Sequence, residues 1–302
     1  MPWVLRRAPC APCAVRRAPC AWRPRALGTW HSYPLPVLYN YDRVADTYDA
    51  TRGIPPGAHE TVTDGLISAL REVAPDPRVL EVGVGTGRIA VPLAEMGIRL
   101  TGIDISRRML SRLHRRNQGV AAVLAEAARL PFREGSFDAV LFVHILHLVP
   151  DPEATLRAAA AALRPAGALL LGQTTFSPSP VHEIRPLLDR TVEEVTGRPL
   201  ATPRRFVDTE QYTTLLPGMG FEVTGARVLA TWRDASTGRD TLADVAERRN
   251  SNTWNIPEAA TPAILALLAP RLEALLGGLD RVYESEARFE LRVARRSAQP
   301  PH

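Results

Sequence analysis

Residues 79–94 read VLEVGVGTGRIAVPLA, which places an acid, Glu81, inside an apolar run and follows it with Gly83, Gly85 and Gly87 at alternate positions. An apolar run that breaks into glycines and resumes with helical spacing is a strand–turn–helix. Its backbone can approach a ligand closely, because glycine tolerates positive φ and carries no side chain. The spacing is G-x-G-x-G, whereas dinucleotide sites use G-x-G-x-x-G. Phosphate turns favour donors and positive charge, so a glutamate at the strand end suits a cationic ligand better. A Walker-type phosphate loop is excluded, since it needs a lysine and all 37 basic residues of this chain are arginine.

The elements around this turn alternate. Strands are expected at 78–84, 98–104, 120–126, within 136–146, and at 167–173. Helices are expected at 86–96, 106–117 and 152–163, with Ser106 and Asp151 as N-caps and Gly97 as a stop. Helical spacing at 38–52 and 58–73 precedes them. The pattern predicts an α/β fold with a doubly wound, seven-stranded, mostly parallel sheet whose ligand lies beyond the carboxyl ends of the strands. The core is expected at about 76–175, completed by strands near 218–232 and 286–295. Lid helices are expected at about 177–217 and 235–285 above the ligand edge, so the domain spans 37–302.

The chain has 302 residues, 45% apolar and 23% charged, with a net charge of +5. The first 41 residues hold six arginines and no acid, so residues 42–302 total 5 − 6 = −1. A near-neutral body gives no reason to expect a polyanionic partner. No uninterrupted apolar run nears the ~20 residues of a membrane span. A soluble cytoplasmic protein is expected. Residues 1–36, rich in Arg, Pro and Ala, cannot bury a core and are expected to be a disordered basic tail. A Cys10–Cys13 metal or redox pair, a transit peptide and an upstream start are the other readings of that tail. The body contains no cysteine and no metal site is expected in it.

E-x-G-x-G-x-G followed by GIDIS at 102–106 resembles the class I S-adenosylmethionine-dependent methyltransferases, in particular the ubiquinone-biosynthesis-like branch that modifies small molecules. YDRVADTYD (41–49), LPFREGSFDAV (130–140), FVHILHLV (142–149) and LRPAGALLLG (163–172) resemble further segments of that branch in order. The resemblance implies a Rossmann-like methyltransferase fold and S-adenosyl-L-methionine as cofactor. Gly83, Gly85 and Gly87 then admit its methionine portion, and a helix N-terminus near Thr86 faces the carboxylate. Glu81 places negative charge near the ammonium and sulfonium. Asp104 accepts both ribose hydroxyls. Glu126 accepts the adenine amino group, with the Ala127 N–H as complementary donor, although many relatives carry aspartate in place of Glu126. Ile105 and Met109 sandwich the adenine. Tyr48 and Arg52 close over the cofactor. Read singly, the glycines could serve packing and Asp104 could cap a helix.

Methyl transfer from a sulfonium is an in-line displacement in which positioning does much of the work. A general base helps only when the acceptor must lose a proton. His144 and His147, just past the fourth strand, are the candidates for that role or for the wall of the acceptor site. Trp232, Trp254, His182 and Arg249 are candidate substrate contacts in the lid, where an aromatic is more often a packing residue. Phe142-Val143-His144-Ile145 stands where nucleic-acid amino-methylating enzymes carry Asn/Asp-Pro-Pro-aromatic, so the expected acceptor is a small organic molecule rather than nucleic acid. A nicotinamide-dependent oxidoreductase and a non-catalytic S-adenosylmethionine-binding protein are the alternatives.

Overall fold

Strand and helix alternate from Arg78 onward in the order that the apolar runs predict. The computed structural model describes residues 41–297 apart from 44, 47, 52–53, 118, 178–179, 201–208 and 251–252. The expected tail at 1–36, with its cysteines, and Arg52 lie outside the described residues.

A 3-10 turn at Tyr41–Arg43 and the short helix α1 (Tyr48–Thr51) lead into α2 (Pro56–Val73). The alternating body follows as β1 (Arg78–Val82), α3 (Ala90–Glu95), β2 (Arg99–Asp104), α4 (Arg107–Arg116), β3 (Ala121–Leu124), β4 (Phe137–Val143), α5 (Pro152–Ala162) and β5 (Leu163–Phe176). The remainder comprises α6 (Val181–Thr196), α7 (Thr209–Thr213), β6 (Phe221–Val223), β7 (Arg227–Ser236), α8 (Gly238–Glu247), α9 (Thr261–Leu276) and β8 (Tyr283–Arg296). Both expected caps form. Ser106 Oγ accepts from the Met109 N–H, and the Asp151 carboxylate accepts from the Ala154 N–H ahead of Pro152.

The strands form one sheet in the order β3-β2-β1-β4-β5-β8-β6, with β7 also on β8. Strands β1 to β5 pair in parallel, and β8 runs antiparallel to β5, β6 and β7. There are eight strands where seven are expected, because the late apolar stretch breaks at 224–226. Its halves follow one another along the same edge of β8, from Phe221↔Arg296 to Val223↔Ala294 and from Arg227↔Leu291 to Ser236↔Tyr283.

Both faces of the sheet are covered, which explains the continuous apolar strands. Val79, Leu141, Leu170 and Phe289 pack with α2, α3 and α4 on one face, while Leu80, Val82, Phe142 and Leu169 pack with α5 and α7 on the other. Alternation along β1 sends Glu81 to the face of Val79. Helices α6, α8 and α9 share a third apolar cluster, built around Ile184, Leu188, Val245, Leu268 and Leu272. They are inserted after β5 and β7, where those strands end, so this layer grows from the edge at which the parallel strands terminate. Within it, Glu258–Leu276 is long and apolar enough to cross a membrane by length and composition. In the structure its stripe of Ile264, Leu268, Leu272 and Leu276 is buried.

Candidate functional site

The glycine turn is fastened to the end of β2. The N–H groups of Gly83 and Val84 both donate to the Ile103 carbonyl at 2.9 Å, and the Gly85 N–H donates to Asp104 Oδ2 at 2.9 Å. All three glycines have positive φ, at 75°, 56° and 82°, a region that side chains with a Cβ rarely adopt. Their surroundings differ. A Cβ on Gly83 would meet Ile145 at 2.6 Å and one on Gly87 would clash with Leu113, whereas one on Gly85 meets nothing within 4 Å among the described residues. Gly83 and Gly87 therefore allow close packing, and Gly85 faces open space. The backbone spends residues 84–89 on this turn, so α3 starts at Ala90 and not near Thr86. Thr86 is buried, and its hydroxyl donates to Asp49 Oδ1 at 2.6 Å.

Glu81 is 3% exposed, and its Oε2 has no hydrogen-bond partner among the described residues. Burial pushes its carboxyl up to about 8; the Arg88 guanidinium opposes this and the Asp104 carboxylate adds to it. A buried carboxylate with an open acceptor position calls for a cationic partner.

Asp104 closes β2, where its carbonyl accepts from the Ala125 N–H at 3.0 Å and joins the end of β3. Its carboxylate accepts from the Gly85 and Ser106 N–H groups at 2.9 and 2.7 Å. Burial raises its pKa, and the N–H donors of Ser106, Gly85 and Ile105 pull it back. An ionised carboxylate offers about four acceptor positions, so these three backbone donors leave about one for a ligand. Ile105, beside it, is 67% exposed, a large apolar side chain held in solvent next to a polar cradle. Met109 is 2% exposed and packs inward. Glu126 and Ala127 are half-buried just beyond β3, with Arg129 3.9 Å from Glu126.

A cleft at the ends of β4 and β5 is lined by His144, Ile145, His147, Gln173, Thr174 and Tyr212, among others. His144 has φ 52°, its Nε2 lies 3.3 Å from the Thr174 hydroxyl, and its ring meets Phe289 edge-on. Burial, aided by Arg88 and His147, lowers its pKa to about 3, so the imidazole is neutral at ordinary pH.

The structure brings Glu81, the glycine turn, Asp104, Ile105 and Glu126 to one edge, with His144 and His147 at the neighbouring strand ends. Tyr48 packs edge-on against Tyr41, which packs against Trp254 at 4.8 Å, so the segment before the sheet meets the helical layer. Trp232 is not a lid residue. It lies on β7 on the same face as Ala230 and packs into the sheet core. His182 is exposed on α6, and Arg249 is tied to Glu247 and Asp244. Arg88, which the sequence patterns did not single out, lies with its guanidinium 5.8 Å from the Tyr48 ring centre.

Residues 80–171 match the family described as the methyltransferase domain. The chain is 28% identical over 177 residues to the demethylmenaquinone methyltransferase of Renibacterium salmoninarum, covering 58% of this chain and 74% of that protein. It is 37% identical over 119 residues to the ubiquinone biosynthesis O-methyltransferase of Xanthomonas campestris pv. campestris, covering 37% of this chain and 48% of that one. This chain therefore spans about half the length of that second relative. The solved YcgJ protein of Bacillus subtilis superposes with a TM-score of 0.52 at 18% identity, over 80% of this chain and 100% of that one; at that identity the likeness establishes the fold.

Proposed function

Because residues 80–171 form a class I S-adenosylmethionine-dependent methyltransferase domain, we propose that the protein transfers a methyl group from S-adenosylmethionine to a small organic acceptor lodged in the cleft at the ends of β4 and β5. When bound, the cofactor supplies a methyl group on a sulfonium, which an acceptor lone pair displaces in line to leave S-adenosylhomocysteine.

The observation that carries the reading is the buried Glu81 carboxyl, whose Oε2 has no partner among the described residues, together with a Gly85 that has open space on its Cβ side among those residues. That pair fits a ligand with a cationic end and no room for a side chain beneath it. In this reading Glu81 receives the ammonium, and Gly83, Gly85, Thr86 and Gly87 form the floor. Asp104 offers its remaining acceptor capacity to the ribose hydroxyls. Ile105 covers the adenine, Met109 backs it, and Glu126 and the Ala127 N–H read its edge. Tyr48 closes from the N-terminal side.

His144 serves as a neutral wall residue that orients the acceptor by hydrogen bonding, since its surroundings oppose holding a proton. The near-neutral body supports a small molecule over nucleic acid. Thermal-shift titrations test the reading, followed by transfer of labelled methyl to a panel of small hydroxyl and amine acceptors. S-adenosylmethionine and S-adenosylhomocysteine should raise the melting temperature and NAD should not. A shift with NAD alone overturns the reading.

A further inference from the structure

The short helix α3 begins only at Ala90, four residues after Thr86, so its terminus lies further along the chain than the sequence suggests. A cation lies close by. Arg88 follows the last glycine of the turn, and its carbonyl oxygen lies 3.1 Å from His59 Nε2, which ties its backbone to α2. Its guanidinium carbon is 5.8 Å from the Tyr48 ring centre. From there its charge draws the Glu81 carboxyl down and opposes protonation of His144. One half-buried guanidinium is thus felt at the strand-end acid, at the aromatic of the N-terminal segment and at the acceptor cleft.

We propose that Arg88 binds the carboxylate of the cofactor and forms, with Glu81, a charge-matched receptor for its amino-acid end. The assignment rests on the S-adenosylmethionine reading above and deepens it. A zwitterion presents an ammonium and a carboxylate a few bonds apart, and Glu81 and Arg88, which flank the glycine turn in the chain, carry the opposite charges, with the Arg88 charge felt at Glu81. The unpartnered Glu81 Oε2 needs a donor that also carries positive charge. The planar guanidinium of Arg88 can grip a carboxylate through two parallel N–H groups, which an ammonium side chain cannot do.

The test is calorimetric titration of the full chain with S-adenosylmethionine and with decarboxylated S-adenosylmethionine, which keeps the sulfonium and ammonium but lacks the carboxylate. The wild type should bind the intact cofactor roughly tenfold or more tightly than the decarboxylated one. Arg88→Gln should lose about ten- to a hundredfold in affinity for the intact cofactor and bind the decarboxylated one as the wild type does. Arg88→Lys should recover part of the loss. Equal weakening toward both ligands, or unchanged affinity for the intact cofactor, overturns the Arg88 assignment and leaves the cofactor reading standing. A wild type that binds neither ligand overturns both. Thermal melts check folding, and if Arg88→Gln fails to fold, the two-ligand comparison in wild type and Arg88→Lys decides the matter.

Discussion

Replacing Glu81 by glutamine should stabilise the ligand-free protein while weakening its hold on the cofactor. The carboxyl is 3% exposed, and burial lifts it from 4.5 to about 8. At about 1.4 kcal/mol per pH unit, that lift corresponds to a penalty on the order of 5 kcal/mol for the ionised form. Below pH 4.5 the folded and unfolded states both keep the proton and no penalty exists. Between pH 4.5 and about 8 the unfolded chain gives up its proton and the folded one does not, so stability falls as pH rises. Above about 8 the loss is complete. Glutamine keeps the shape and does not titrate, so the gap in melting temperature between variant and wild type should be small at pH 5 and widen toward pH 9. Cofactor affinity should move the opposite way. An amide offers no charge to an ammonium, and roughly tenfold or weaker binding is expected at pH 8. Melting curves across pH 5–9, paired with titrations at pH 8, read both effects. A variant less stable than the wild type at pH 9, or one that binds the cofactor normally, would refute the reasoning.

The other substitutions act on neighbouring groups. Asp104→Ala removes the acceptor of the Gly85 and Ser106 N–H groups; calorimetry should show roughly ten- to a hundredfold weaker cofactor binding, at a stability cost of about 1–3 kcal/mol. Unchanged affinity would place the ribose elsewhere. His144→Asn keeps a residue that tolerates φ 52° and removes a group whose pKa is lowered from 6.5 to about 3. The stability that the neutral imidazole contributes is present above pH 6.5 and lost as pH falls toward 3. The variant should therefore show a flatter acid limb in melting temperature against pH, and an equally steep limb would locate the acid lability in another group.

Much of the frame was legible because its signals are local and periodic. Continuous apolar runs bounded by Gly97, Ser106 and Asp151 mark buried strands and capped helices, and no tertiary information is needed to read them. The turn itself was legible, but its division of labour was not. That Gly83 and Gly87 accommodate Ile145 and Leu113, while Gly85 faces open space, depends on residues distant in sequence. The start of α3 was misplaced because positive φ at Gly85 and Gly87 interrupts helical geometry that the apolar spacing alone suggests. Trp232 read as a lid aromatic because the side of the strand it occupies is decided by pairing with β8. Arg88 offered no contrast in a chain with so many arginines. Only its approach to the Tyr48 ring and its charge, felt at Glu81 and His144, single it out.

The central claim is that the open glycine of the turn lies under the cofactor, and Gly85→Val tests it most directly. Valine demands an unfavourable φ there and fills space that the ligand requires. Titrating S-adenosylmethionine into wild type and Gly85→Val, with circular dichroism confirming that both are folded, should show saturable binding to the first and none to the second. A folded Gly85→Val protein that binds S-adenosylmethionine as tightly as the wild type would contradict the account.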